Sequence, residues 1–561
     1  MVFNKLELFI MFSKLLYVFV FLTVFSCKTN TSNPSSKSSV QTTSPPKLVV
    51  GIVVDQMRFE YLNRFKNKYS SNGFLRLIEK GFSCNNHHFN FIPTYTAPGH
   101  ASVFTGTTPS VHGIIGNNWY NKTKDAVVYS TTDDAYDPVG GVVKYGQVSP
   151  RNMKVTTLAD QNRLFTQMNG KTIGVSLKDR GAIFPSGHTA NGAYWFEGLN
   201  EGKWVTSTYY MDELPAWVKA LNTPSKTDNY LKTWDTLYDI DLYEESGPDA
   251  NAYEKGFNGK SEPVFPYDLK TLMEFNDGYN IIKLSPFGNT MITDFAMAAI
   301  PGENLGADHY TDFLTVSYSS TDYIGHDFGV NSVELQDTYL RLDLEIERLL
   351  NYLDTQVGEG NYTLFLTSDH GAAQTPSFLS DIHVPSGYVQ RNRFAPLYAA
   401  LKAKYSTSDL IKNISNNQVF LNQDRITSLQ LDLEEVQKFI VNEIIGYPSI
   451  SKAYTAAAMQ TSYFEKGVEK MLQNGYNQKR SGDVLFTLES GVISYGPKGT
   501  THGSGYNYDS HVPLLFYGNG IQHGKIYERT NVTDIAPTIS ALLGIAFPSG
   551  ATGVVIEKVI H

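Results

Sequence analysis

Three carboxylates, three imidazoles and one hydroxyl stand out along the chain. They are Asp55 after an apolar run, Thr96 in T-A-P-G-H, Asp322 and His326 four residues apart, adjacent Asp369 and His370, and His502 in T-T-H-G. Imidazole and carboxylate groups are ligands for zinc and other divalent metals. Two such ions about 4 Å apart clamp the attacking and leaving oxygens of an in-line displacement. A hydroxyl beside them is a candidate nucleophile, because a metal converts a poor alcohol nucleophile into an alkoxide-like one. Taken singly, each motif is weak. A Thr at a helix start is commonly a cap, an Asp–His pair at i,i+4 also suits a surface hydrogen bond, and a strand-end Asp is often merely solvated. The ordered set D…T-x-x-G-H…D-x-x-x-H…D-H-G…H-G is far more specific than its parts.

Thr96 sits between an apolar-aromatic run and a small-residue segment that reads as a helix, with Pro98 and Gly99 punctuating the elbow. A hydroxyl there lies near free backbone N–H groups and the positive end of the helix dipole, a setting that suits attack on a phosphoryl group. Asn117 follows in I-I-G-N-N. Asn in such a loop is usually turn chemistry, and donation to a phosphoryl oxygen is the alternative. Lys178 and Arg180 follow K-T-I-G-V-S-L. If the chain stays extended there, both cations point one way and Asp179 the other. Together they would bind the non-bridging oxygens of a phosphate; local sequence alone favours a solvated charged turn. His100 and His112 read as structural.

These residues need strands to hold them. Residues 47–55 are a continuous apolar run, the pattern of a buried parallel strand, and 171–177, 312–318 and 362–367 read as further strands. Ligands bind at the carboxyl ends of such strands, where most of the candidates fall. Helical spacing covers residues 57–80, 289–300 and 332–353. Residues 182–277 and 380–478 lose the βα alternation and read as two insertions without site chemistry. Residues 483–488 and 492–495 read as a hairpin, and 512–517 as the last central strand. The fold class expected is α/β, a three-layer sandwich with a mostly parallel, doubly wound central sheet.

The 561 residues carry a net charge of −9 with no basic block, which argues against a nucleic-acid partner. Residues 1–27 read as an export signal: Lys5, then an apolar run ending at Val24-Phe25-Ser26-Cys27. Cys27 after Ser26 resembles a lipoprotein cleavage site, although Phe25 is bulky for one, and a plain secretory signal is the alternative. Residues 28–46, rich in Ser, Thr, Asn and Pro, read as a flexible tether. The expected location is periplasmic, anchored to the outer membrane or secreted, with membrane contact only through a lipid on Cys27. With only two cysteines, an exported chain of this size relies on its core and bound metals rather than disulfides.

From residue 47 onward the chain resembles the alkaline phosphatase superfamily, closest to its phosphate-insensitive PafA-type branch. KLVVGIVVDQMR, PSVHGIIGN, VSLKDR, STDYIGHDFG, SDHGAA, PKGTTHG and DSHVPLLF carry the likeness. The resemblance implies two zinc ions, one on Asp322, His326 and His502, the other on Asp55, Asp369 and His370 with the Thr96 oxygen. It implies Thr96 as nucleophile through a phosphothreonine, and Asn117, Lys178 and Arg180 as holders of the phosphoryl oxygens. It also implies a monoesterase, since diesterase relatives lack the Lys/Arg pair; T-A-P-G-H is not the C/S-x-P-x-R of sulfatases. A phosphodiesterase or nucleotide pyrophosphatase is the alternative. Asp and His ligands suit manganese or iron as well. The substrates expected are small phosphate monoesters, and the chain is expected to be a monomer. Gly503-Ser504-Gly505 after His502 is more glycine-rich than that branch suggests, and His511 is the runner-up ligand.

Overall fold

The structure is a computed structural model that describes residues 44–141, 146–199, 201–390 and 392–560. The export signal, Cys27 and residues 28–43 of the tether lie outside the described residues. Ten strands form one sheet: β1 (Leu48–Val54), β2 (Phe82–Cys84), β3 (Pro138–Val139), β4 (Thr172–Ser176), β5 (Gly192–Glu197), β6 (Lys203–Ser207), β7 (Asp312–Tyr318), β8 (Tyr362–Thr367), β9 (Leu514–Gly518) and β10 (Gly524–Ile526). Their spatial order is β10-β2-β9-β8-β1-β7-β4-β5-β6-β3. The central run β8-β1-β7-β4-β5 is parallel, and antiparallel strands flank it on both sides.

Alternation along β1 builds the layers. Leu48, Val50, Ile52 and Val54 enter one core, and Val49 and Val53 the opposite one. Both faces are covered, which is why the strand is apolar throughout. Six helices flank the sheet or position the site: α1 (Thr96–Thr105), α2 (Asp179–Ser186), α3 (Phe287–Glu303), α4 (Ser320–Phe328), α5 (Val333–Leu353) and α6 (Ile535–Leu543). α3 and α5 supply Ile292, Phe295, Tyr339, Leu342 and Ile346 to the first core; α1 and α6 supply Val103, Phe104, Ile535 and Ile539 to the second. The result is the expected α/β three-layer architecture.

Three expectations change. Residues 57–80 are not one helix but short pieces, Tyr61–Arg64 and Phe74–Lys80 among them. The cause is tertiary: the buried Asp343 carboxylate on α5 accepts from the Ser70 N–H at 2.6 Å and the Phe74 N–H at 2.6 Å, capping the second piece from outside. The central sheet runs on into residues 182–277, because β5 and β6 belong to it. Residues 483–495 do not form a hairpin. Val484–Leu488 instead pairs with Gln418–Leu421 and Ile450–Thr455 in a four-stranded sheet, where Val484 and Phe486 bury against Leu397, Val436 and Ile440. Val492–Ile493 pairs in parallel with Gly387–Tyr388.

Asp343→Ala orphans the buried Phe74 N–H and the half-buried Ser70 N–H. It is expected to cost about 1–3 kcal/mol for each, read as a lower urea midpoint; an unchanged midpoint contradicts the external cap.

Candidate active site

The candidate residues converge at the carboxyl ends of β1, β4, β7 and β8. Asp55 directly follows β1, and Asp369 and His370 follow β8. Asp322 and His326 share a face of α4, which begins where β7 ends; His326 Nε2 lies 3.2 Å from Asp322 Oδ1. His502 comes from a distant loop, and its ring stacks on that of His370 with centroids 3.4 Å apart.

Thr96 is the first residue of α1 and makes no capping hydrogen bond; Tyr95 occupies the cap position. Its buried hydroxyl lies 3.5 Å from His370 Nε2. Helix capping therefore does not account for this Thr, and its oxygen faces the imidazole and carboxylate cluster.

Two groups of ligand atoms are close enough to hold a metal ion: Asp55, Asp369 and His370, and Asp322, His370 and His502. The groups meet at His370; His326, expected as a ligand beside Asp322 and His502, is not a member of the second group, although its ring centroid lies 5.2 Å from that of His502. All three imidazoles are set the same way. Nδ1 of His326 donates to the Thr500 carbonyl at 2.7 Å, that of His370 to the Gly371 carbonyl at 3.0 Å, and that of His502 to the Thr94 carbonyl at 2.7 Å. Each Nε2 therefore faces inward, the orientation a metal ligand needs; against the effect of burial, the Asp322 charge and hydrogen bond raise the pKa of His326. Burial lowers the pKa of His370, and burial with the neighbouring His370 and His326 rings lowers that of His502 further, so both stay neutral.

The carboxylates are under-satisfied. Asp55 Oδ1 and Asp369 Oδ2 are buried without a hydrogen-bond partner. Two ring nitrogens approach Asp369 Oδ2, His100 Nδ1 at 3.3 Å and His370 Nε2 at 3.4 Å. Neither points a proton at it, since each Nδ1–H is directed to a backbone carbonyl. Burial, then the charges of Asp322 and Asp369, raise the Asp55 carboxyl well above its usual range against the pull of Lys178. Orphaned carboxylate oxygens beside inward-facing imidazole lone pairs fit a divalent cation.

Lys178 is buried, with Nζ 2.6 Å from Asp55 Oδ2 and 2.5 Å from Asp322 Oδ2, so it spans both ligand groups. The extended-chain argument for Lys178 and Arg180 does not hold. Lys178 is extended but α2 begins at Asp179. Asp179 turns away because Tyr129 and Thr131 donate to it, at 2.5 and 2.7 Å. Arg180 donates to the Tyr129 hydroxyl at 3.0 Å, and its Nε is buried without a partner. Asn117 Oδ1 accepts from the Ala97 N–H at 2.8 Å, which leaves its amide NH2 as a donor beside the start of α1.

Some residues had more to do than their sequence showed. His100, read as structural, donates to the Thr96 carbonyl at 2.9 Å and also approaches Asp369, tying the candidate nucleophile's helix to a candidate ligand. Asp509 accepts from the N–H groups of Gly503 and Ser504, at 3.1 and 2.7 Å, bracing the loop after His502. Gly503 has a positive φ of 127°, and a Cβ there would stand 2.5 Å from the Tyr95 ring, which packs edge-on against His502. His511, the runner-up ligand, stacks on Phe59 and His88 outside both groups.

Sheet, strand-end carboxylates and imidazoles together define the class: a hydrolytic α/β enzyme of the alkaline phosphatase superfamily. Residues 49–512 match the family model "Type I phosphodiesterase / nucleotide pyrophosphatase", and the chain belongs to that family. Alkaline phosphatase PafA of Elizabethkingia meningoseptica is 44% identical over 519 residues, 92% of this chain and 94% of that protein. A Myroides odoratus protein named "Calcium-transporting ATPase" is 46% identical over 522 residues, 92% of this chain and 95% of that one. No helix among the described residues is long and apolar enough to cross a membrane. The crystal structure of wild-type alkaline phosphatase PafA superposes with a TM-score of 0.89 at 44% identity, covering 92% of this chain and 99% of that one. This chain is thus a phosphatase enzyme.

The approach of α1 to the β8 loop offers a test. A Cβ on Gly99 would stand 2.3 Å from the Asp369 carbonyl oxygen and 2.9 Å from its Cβ. Gly99→Ala is expected to displace Asp369 and weaken divalent-metal affinity at least tenfold in chelator competition, since metal sites lose about 10–100-fold when ligand support is removed. Unchanged affinity contradicts the contact.

Proposed function

We propose that the chain is an exported phosphomonoesterase that releases inorganic phosphate from small organic phosphate monoesters through a phosphothreonine on Thr96. The observation that carries this is the Thr96 hydroxyl, uncapped and facing His370 beside carboxylate oxygens that no proton donor satisfies. Asp55, Asp369 and His370 would hold one zinc ion and Asp322, His326 and His502 the other; bound there, the pair would favour ionised Thr96 and offset charge on the leaving oxygen.

The residues of the chain supply the rest. Thr96 Oγ attacks phosphorus in line. The Oγ–P bond forms as the bond to the organic oxygen breaks, and that oxygen leaves with the electron pair and takes a proton from water. Water then attacks the phosphothreonine; the P–Oγ bond breaks, and Thr96 regains its proton as phosphate departs. Lys178, Arg180 and the Asn117 amide hold the non-bridging oxygens. Phosphoryl transfer is governed chiefly by such positioning and charge stabilisation.

A monoester dianion presents three non-bridging oxygens, enough for all three residues. A diester puts an ester group where one cation would bind. The second reading, a phosphodiesterase, is favoured by the description of the matching family and not by this cation pair. Export and a lipid anchor on Cys27 rest on the N-terminal sequence alone.

Thr96→Ala is expected to abolish turnover of an aryl phosphate while metal content and phosphate binding persist. Lys178→Ala and Arg180→Ala are each expected to cost monoester kcat/KM about 2–4 kcal/mol, the size of lost charge stabilisation in an enclosed site. Rates on a monoester and on its methyl diester decide between the readings. A diester preference that survives Lys178→Ala overturns the first.

A further inference from the structure

Arg180 is held by a side chain that the proposed reaction does not use. Its Nη1 donates to the Tyr129 hydroxyl at 3.0 Å, and its Nε is buried without a partner. The Tyr129 hydroxyl donates in turn to Asp179 Oδ1 at 2.5 Å, and Thr131 donates to Asp179 Oδ2 at 2.7 Å. The phenol is therefore a bridge. It accepts from the guanidinium and donates to the carboxylate of the residue just before it. Burial holds its ionisation well above the ordinary range against the pull of Arg180, and the Asp179 charge adds to this, so the bridge stays neutral and keeps its proton.

A neutral acceptor suits a guanidinium that must meet an anion. A carboxylate bonded directly to Arg180 would compete with phosphoryl oxygens for its fork of donors; Tyr129 and Thr131 occupy both Asp179 oxygens instead. A long side chain also loses rotamer freedom when it closes on a ligand. A standing hydrogen bond removes part of that loss beforehand. We propose that Tyr129 is a positioning residue for the reaction, acting through Arg180 by fixing the guanidinium where the phosphoryl oxygens arrive. The inference rests on the reading of Arg180 as a holder of those oxygens. Groups of this kind work only when their own rotamers are locked by neighbours.

The place of Tyr129 in the chain supports the assignment. It ends an antiparallel hairpin of Asn118–Asn121 and Ala126–Tyr129, in which Asn118 pairs with Tyr129. Just outside that pair, the Ser130 N–H donates to the Asn117 carbonyl at 2.9 Å. The base of the hairpin thus carries Asn117 on one strand and Tyr129 on the other. The Asn117 amide and the partner of the guanidinium cannot move apart without breaking the ladder. The four-stranded sheet that contains Gln418–Leu421 braces the hairpin. Asn416 donates to the Asn118 carbonyl at 2.5 Å, Tyr120 packs edge-on against Phe420 with centroids 5.3 Å apart, and Lys122 pairs with Asp483 at 3.3 Å. An insertion that bears no site residue in this way steadies two residues of the phosphoryl pocket.

A double-mutant cycle on the full-length, zinc-loaded protein tests this. Tyr129→Phe keeps the ring and removes only the hydroxyl. It is expected to lower kcat/KM for an aryl phosphate about tenfold, the size of a lost hydrogen bond to a charged group, with metal content unchanged. Added to Arg180→Ala, the same change is expected to cost no more than about twofold, since its whole effect passes through the guanidinium. Competitive inhibition by inorganic phosphate is the second readout, and it is expected to weaken in Tyr129→Phe by a factor similar to that in kcat/KM. A Tyr129→Phe enzyme with wild-type rate and phosphate inhibition, beside an impaired Arg180→Ala, overturns this inference alone. An equal loss with and without Arg180 also overturns it, because the hydroxyl would then serve the fold at large. A fully active Arg180→Ala overturns the cation-pair reading, and this inference with it.

Discussion

Negative charge that the fold buries but cannot neutralise with its own side chains governs this molecule. Asp55, Asp322 and Asp369 are all buried at one end of the central sheet, and the Lys178 ammonium is within ion-pair distance of only the first two. The desolvation of each such carboxylate is worth several kcal/mol. Evenly spaced cationic side chains would relieve that cost; the chain instead surrounds the carboxylates with imidazoles whose Nδ1–H groups are spent on backbone carbonyls and whose Nε2 atoms point inward. The arrangement fits divalent cations among those groups. Metal binding there would link ion occupancy to the integrity of this end of the fold.

The precision of the site comes from elements that cannot shift independently. β1 is paired along its length with β7 and β8, so the backbone preceding Asp55 is fixed relative to that preceding α4 and Asp369. α1 lies so close to the β8 loop that only glycine fits at residue 99. His100 hydrogen-bonds back to Thr96 while facing Asp369. Close packing of a candidate nucleophile against its neighbours is what transition-state positioning requires.

Much of this was legible in the sequence, for identifiable reasons. A strand buried on both faces leaves an uninterrupted apolar run, so β1, β4, β7 and β8 and the residues at their ends could be located from sequence. Spacing of four along a helix placed Asp322 and His326 together. What escaped was whatever depends on distant partners. Asp343 breaks the 57–80 segment from nearly 270 residues away. The extended stretch expected through Arg180 is cut short because a helix begins at Asp179, where Tyr129 hydrogen-bonds both Asp179 and Arg180. His100 looked like any helical histidine until its partners were in place. The tight glycine at 503 makes sense only once the Tyr95 ring is seen against His502.

Anomalous diffraction at the zinc absorption edge, from crystals of the zinc-loaded protein, tests the central claim most directly. Two peaks are expected about 4 Å apart, one within ligand distance of Asp55, Asp369 and His370, the other of Asp322, His326 and His502, with the Thr96 oxygen beside the first. A single peak, or density away from these side chains, contradicts it.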